Sequence, residues 1–247
     1  MIGRLLEWAS VALIMTVPGV SRATDHAMSV GQLVEALGEE AAESETRWRA
    51  AERLGRMGIR SERVVSALVY ALGWDNNPTV RSRAAQALGF LGAKAEGAVE
   101  ALIETLESEE SLKVRWRAVE ALERIGPATG EVAPVLIEVL RTDKYPGVRA
   151  RAAEAIGSIC PATESVVRVL TKVFLGDGDG HPGVRWQAAK ALEMCAVNLQ
   201  HAKATGAITS LREALIALSA HNEPEIRTNT AAVRRVIQNL ERELSRE

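Results

Sequence analysis

Only 4% of this 247-residue chain is aromatic, and the apolar 47% comes mostly from alanine and leucine. That balance favours helices over sheets. Charge of one sign is also missing: 30 basic residues face 32 acidic ones, a formal net of −2. A chain this close to neutrality has no overall field to gather nucleic acid or an anionic membrane around it. Cysteine is scarce. Cys160 and Cys195 are too few and too far apart for a zinc site and form no disulfide framework, so they are expected as core thiols. The apolar run Trp8 to Val17 is too short to span a bilayer. Disorder is excluded as well, because the apolar share is large enough to build an interior.

The N-terminus has two readings. Arg4 precedes the apolar run, Pro18-Gly19 breaks it, and Ser21-Arg22-Ala23 follows with small residues at the third and first positions before a cut. This is the layout of a secretory signal peptide, although Glu7 at the edge of the run weakens it. The other reading is a helix that caps the first repeat. Export is the favoured expectation for residues 1–23, because the periodic pattern begins only after them.

What the chain has in abundance is internal repetition. The string Val80-Arg81-Ser82-Arg83-Ala84-Ala85-Gln86-Ala87-Leu88-Gly89 returns as Val114-Arg115-Trp116-Arg117-Ala118, Val148-Arg149-Ala150-Arg151-Ala152 and Val184-Arg185-Trp186-Gln187-Ala188. It occurs earlier as Thr46-Arg47-Trp48-Arg49-Ala50 and later, worn, as Ile226-Arg227-Thr228-Asn229-Thr230. The first three intervals are 34 residues, the next 36 and the last 42. A second apolar pattern starts at Val64, Ala98, Val132 and Val166, again 34 apart. Both patterns space their apolar residues by three and four, so each unit holds two amphipathic helices, A and B. Pro78, Pro146, Pro182 and Pro224 precede helix B motifs by two residues, where a first-turn proline is tolerated. Gly55, Gly89, Gly126 and Gly157 fall near helix B ends and are expected as left-handed caps. One such pair cannot bury its own apolar faces, and stacking completes the core.

The Val-Arg-x-x-Ala-Ala-x-Ala-Leu-Gly motif at 80–89 and its copies resembles the HEAT repeat, in particular the short variety of phycobilisome lyases. The resemblance covers roughly residues 28–240. It implies an all-α, right-handed α-solenoid of about six two-helix units over residues 24–247, with helix B lining the concave surface. It also implies that the first arginine of each motif (47, 81, 115, 149, 185, 227) pairs with an acid in an inter-helix turn. Asp75, Glu109, Asp143, Asp177 and Glu223 are placed to do so.

On a helical wheel Val80, Ala84, Ala87, Leu88 and Leu91 face the core, and Ser82 points away from it. Trp48, Trp116 and Trp186 occupy the Ser82 position in the first, third and fifth units. These indoles, flanked by Arg49, Arg83, Arg117 and Arg151, are the candidate partner-binding residues, since Trp and Arg are enriched at interaction hot spots. The competing reading is that they stiffen the stack. Glu52, Glu120 and Glu154, three residues after Arg49, Arg117 and Arg151, are expected to neutralise the basic stripe and so to argue against phosphate binding.

Chemistry finds little footing. His26, His181, His201 and His221 are scattered, and the chain has no nucleotide-binding loop or nucleophile elbow. Gly176 to Gly183 has aspartates but no closing glutamate for calcium. The expectation is a monomeric, non-catalytic scaffold for another protein, without metal or cofactor. The alternative, implied by the resemblance alone, is a subunit of a bilin lyase or isomerase.

Overall fold

Proline and glycine set where the helices start and turn. The computed structural model describes residues 28–202, apart from 60, 127–130, 160–162 and 177–179, and also Gln238. The leader segment 1–23 and the motif of the sixth unit lie outside the described residues. Five A/B pairs are described: α1 (Val30–Gly38) with α2 (Ser44–Met57), α3 (Glu62–Trp74) with α4 (Pro78–Leu91), and α5 (Val99–Ser108) with α6 (Leu112–Ile125). They continue as α7 (Val132–Thr142) with α8 (Pro146–Ile159), and α9 (Glu164–Leu175) with α10 (Pro182–Ala202). There is no strand among the described residues, and no described helix is long and apolar enough to cross a membrane. Pro78, Pro146 and Pro182 each begin a B helix as expected, and the Asn77 side chain caps α4 by accepting from Thr79 N–H at 2.8 Å.

Each unit packs on the next, forming an all-α solenoid with one continuous core. In α4, Val80, Ala84, Ala85, Ala87, Leu88 and Leu91 are all buried, more of the helix than a single core-facing stripe contains. The reason is that each interior B helix, α4, α6 and α8, touches its own A helix and the B helices before and after it. The A helices meet their successors much less extensively. The closely packed B row therefore forms the inside of the curve.

The glycines correct one expectation. The left-handed turn after helix B is made by Gly58 (φ 61°), Gly92 (φ 58°) and Gly126 (φ 87°), again 34 residues apart. Of the expected caps only Gly126 is one. Gly55, Gly89 and Gly157 lie inside the last helical turn and serve close approach. A Cβ there would stand 2.6 Å from the Ala87 Cα, 3.1 Å from the Ala121 Cα and 2.7 Å from the Ala191 Cα, respectively. In the third unit the slot holds Glu123, whose carboxylate reaches across to Arg151 and to Ser158 Oγ (2.5 Å) on α8. That junction is bridged by charge where the others are closed by backbone contact.

Cys195 is buried and disulfide-bonded, contrary to the expectation of free thiols. The chain contains one other cysteine, Cys160, which lies outside the described residues. The two are 195 − 160 = 35 residues apart along the chain, about one repeat.

Two glycine substitutions should separate packing from propensity. Gly55→Ala pushes a methyl group into the backbone of α4 and should lower stability by about 1–3 kcal/mol. Gly73→Ala on α3, where nothing lies within 4 Å, should raise it by about 0.5–1 kcal/mol. Denaturant melts of both variants check this, and equal effects would show that B-helix spacing is not limited by these contacts.

Candidate functional site: the inner face of the B helices

The first arginine of each motif is taken out of the site. Arg47 donates from Nε and Nη2 to Asp75 at 2.6 and 3.0 Å, and Arg81 donates likewise to Glu109 at 2.6 and 2.9 Å. Arg115 donates to Asp143, with Nε at 2.8 Å. Each acid lies 28 residues downstream, in the A–B turn of the following unit. A second set of bonds ties the arginine to its own turn: Arg81 to Asp75 C=O at 2.8 Å, Arg115 to Glu109 C=O at 3.1 Å and Arg149 to Asp143 C=O at 2.7 Å. Each acid also accepts the backbone N–H two residues later, at Asn77, Ser111 and Tyr145, all at 2.8 Å. The expected ladder is therefore present at three junctions. Asp177 and Glu223 lie outside the described residues, and Arg185 donates to Phe174 C=O at 3.0 Å.

This ladder sets the electrostatics along one edge. The hydrogen bond to Asp75 outweighs burial and raises Arg47 above its ordinary value, and Glu109 does the same for Arg81. Burial alone would push Glu109 upward. The hydrogen bonds from Arg81 and Ser111 N–H, with the charge of Arg81, more than offset it and hold the carboxyl below its ordinary value.

Six of the seven candidate residues form two clusters on the B helices in which they mostly hold each other. Trp48 sits between Arg49, 5.5 Å from the ring centre, and Arg83 of the next unit, at 5.4 Å. Trp116 repeats this with Arg117 at 4.8 Å and Arg151 of the next unit at 5.4 Å. Both indoles are half-buried and packed against the core cluster. The wheel placed this position away from the core, and Ser82 shows why that fails: it is 1% exposed. A wheel considers one helix, whereas the B helices before and after also cover this side. The register there runs Trp48, Ser82, Trp116, Ala150, Trp186, so small side chains alternate with indoles.

Trp186 differs from the other two. It is 46% exposed, with Lys190 of its own helix 5.5 Å from the ring. The arginines are also ion-paired: Arg117 with Glu120 (2.5 Å), Arg151 with Glu154 (3.1 Å) and Glu123, Arg49 with Glu45 (2.6 Å), and Arg83 with Glu52 (3.8 Å). The expected neutralisation of the stripe holds, although Glu52 pairs with Arg83 and Arg56 rather than with Arg49.

HEAT repeats match the sequence in four overlapping windows, residues 30–123, 65–157, 99–193 and 133–233. The chain belongs to the HEAT-repeat family. Among curated proteins none matches the sequence. Solved structures similar to this HEAT-repeat chain include an engineered protein at 23% identity, covering 86% of this chain and 98% of that one, with a TM-score of 0.58. The archaeal HEAT-like repeats protein from Thermococcus onnurineus NA1 is 18% identical, with 85% and 87% covered and a TM-score of 0.55. A designed armadillo repeat protein, crystallised in complex with the peptide (KR)4, is 21% identical, with 85% and 100% covered and a TM-score of 0.55. At these identities the likeness is one of fold.

The sign of the Glu109 shift gives a test of the ladder in this HEAT-repeat stack. A carboxyl held low in the folded state adds stability above its ordinary value of 4.5 and loses it as pH falls through the lowered folded value. Glu109→Gln should therefore melt earlier than the parent at pH 7, by about 1.5–3 kcal/mol. The gap should close on acidification, as the parent's own Glu109 protonates. Thermal melts from pH 7 to pH 2.5 check it, and a gap that stays constant would contradict the assignment.

Proposed function

We propose that this protein is a non-catalytic scaffold that holds a partner protein along the inner face of its B helices. The carrying observation is the row of three indoles at one register, two of which, Trp48 and Trp116, are clamped from both sides so that little of their motion is lost on binding. Repeat solenoids of this type commonly act as interaction scaffolds, and one similar structure is a designed repeat protein with a bound peptide. Trp48 and Trp116, with Arg49, Arg83, Arg117 and Arg151, would form the rigid floor. Trp186 would be the principal anchor, because it has the most indole surface left to bury. The bilin-attachment alternative rests on the repeat motif alone, and a repeat motif selects fold rather than chemistry.

Single substitutions distinguish the two parts of this surface. Trp186→Ala should leave the melt within about 0.5 kcal/mol of the parent while abolishing partner recovery in a pull-down from the native source. Trp116→Ala should lower stability by about 2–4 kcal/mol, since it empties a half-buried site. Undiminished recovery with Trp186→Ala would overturn the anchor.

We propose further that the chain is exported after loss of residues 1–23. The leader-like layout supports this, and so does a disulfide-bonded Cys195, since structural disulfides belong to oxidising compartments. N-terminal sequencing of the mature protein should begin at or near Thr24. Intact Met1 on protein recovered from the cytoplasm would contradict it.

A further inference from the structure

Opposite in kind to the inner face is the edge that carries the arginine ladder. At the first junction this edge bears two exposed aromatic side chains: Trp74, 78% exposed, and Tyr70, 49% exposed. They lie four residues apart on α3, on one side of the helix. With Leu37, Gly38 and Glu40 from the end of α1 they border an open cavity of about 140 Å³. The corresponding positions in later units are Glu104 and Ser108, Glu138 and Thr142, and Lys172 and Gly176. A ladder junction therefore needs no aromatic at either place.

The charges around the cavity leave one carboxylate over. Arg47 and Asp75, which also border it, neutralise each other, and Arg47 is further spent on Asn76 Oδ1 (3.1 Å) and on the carbonyls of Glu40 (3.4 Å) and Ala42. Glu40 is exposed. Among the described residues its side chain has the Tyr70 hydroxyl at 3.5 Å and no cation within 4.0 Å. The loop leading away from it reads Glu39-Glu40-Ala41-Ala42-Glu43, without a basic residue. The cavity thus combines a net negative charge with two aromatic groups.

The same edge shows what such a combination holds. At the third junction Lys144 places its ammonium on the Glu110 carboxylate and 5.3 Å from the centre of the Tyr145 ring. The Tyr145 hydroxyl is fixed by Glu110 C=O at 2.6 Å. An acid and an aromatic ring are filled there by the chain's own lysine. At the first junction the acid and two rings are present, and among the described residues no lysine reaches them.

We propose that the cavity between α1 and α3 receives a lysine side chain from a partner protein, its ammonium on Glu40 and its methylene stem along Trp74 and Tyr70. The attraction is Coulombic at Glu40 and quadrupolar at the rings, and the stem gains apolar contact with the indole. This site is separate from the inner groove and does not depend on it.

The test uses the full chain and small probes, read by the indole N–H resonance of Trp74, which is assigned by its loss in Trp74→Phe. N-acetyl-lysine-N-methylamide should shift that resonance saturably, and the norleucine analogue, which keeps the stem and lacks the ammonium, should not. The arginine analogue should bind more weakly than lysine. Glu40→Gln should weaken lysine binding at least fivefold, and Trp74→Ala, read at Gly38 N–H, by about two- to fivefold. The shift should shrink as salt is raised. Equal shifts with the norleucine probe, no saturable shift with lysine, or unchanged affinity in Glu40→Gln would overturn the proposal.

Discussion

One arginine per unit holds this stack in register. At the first three junctions it donates two hydrogen bonds forward to a carboxylate in the next unit and more to carbonyls of its own turn, so each of those A–B turns is fixed to the one after it. A guanidinium suits this role because its donors form a rigid fork and it stays charged when buried. The pairs at Arg47 and Arg115 are nearly closed to solvent. Losing one partner would leave the other as an uncompensated buried charge, which makes register errors costly. With one edge fixed in this way, the Gly–Ala contacts bring the B helices together at the other side, and the B row becomes the inner surface.

That arrangement decides what the inner face can offer. Side chains at the Trp48 register meet the helices before and after, so arginines from successive units settle on the indoles between them. Such contacts are each worth about 0.5–1 kcal/mol when exposed and about 2 when desolvated. They stiffen the groove and also consume most of its cations. The two readings of the tryptophans therefore divide by position: Trp48 and Trp116 serve the stack first, whereas Trp186 still presents nearly half its surface.

Periodicity carried the sequence reading a long way. Units and helix starts follow from a constant offset, whereas the pairing of Arg81 with Glu109 was implied by the resemblance to HEAT repeats. What depends on neighbouring units was harder to see. The wheel turned Ser82 to solvent because it treats α4 as isolated, and Gly55 was taken for a cap because the close approach of Ala87 lies 32 residues on. Trp74 and Tyr70 lie on helix A, outside the helix B motif that defines the repeat. Their signal was nonetheless available, as aromatics at positions where the later units carry none.

The central claim is that arginine and carboxylate in consecutive units act as one. A double-mutant cycle on Arg115→Met and Asp143→Asn, followed by denaturant unfolding, tests it most directly. A coupling energy of about 1.5–3 kcal/mol is predicted, with the double variant far less damaged than the sum of the singles. Additivity within about 0.5 kcal/mol would mean that the units keep their register without the ladder.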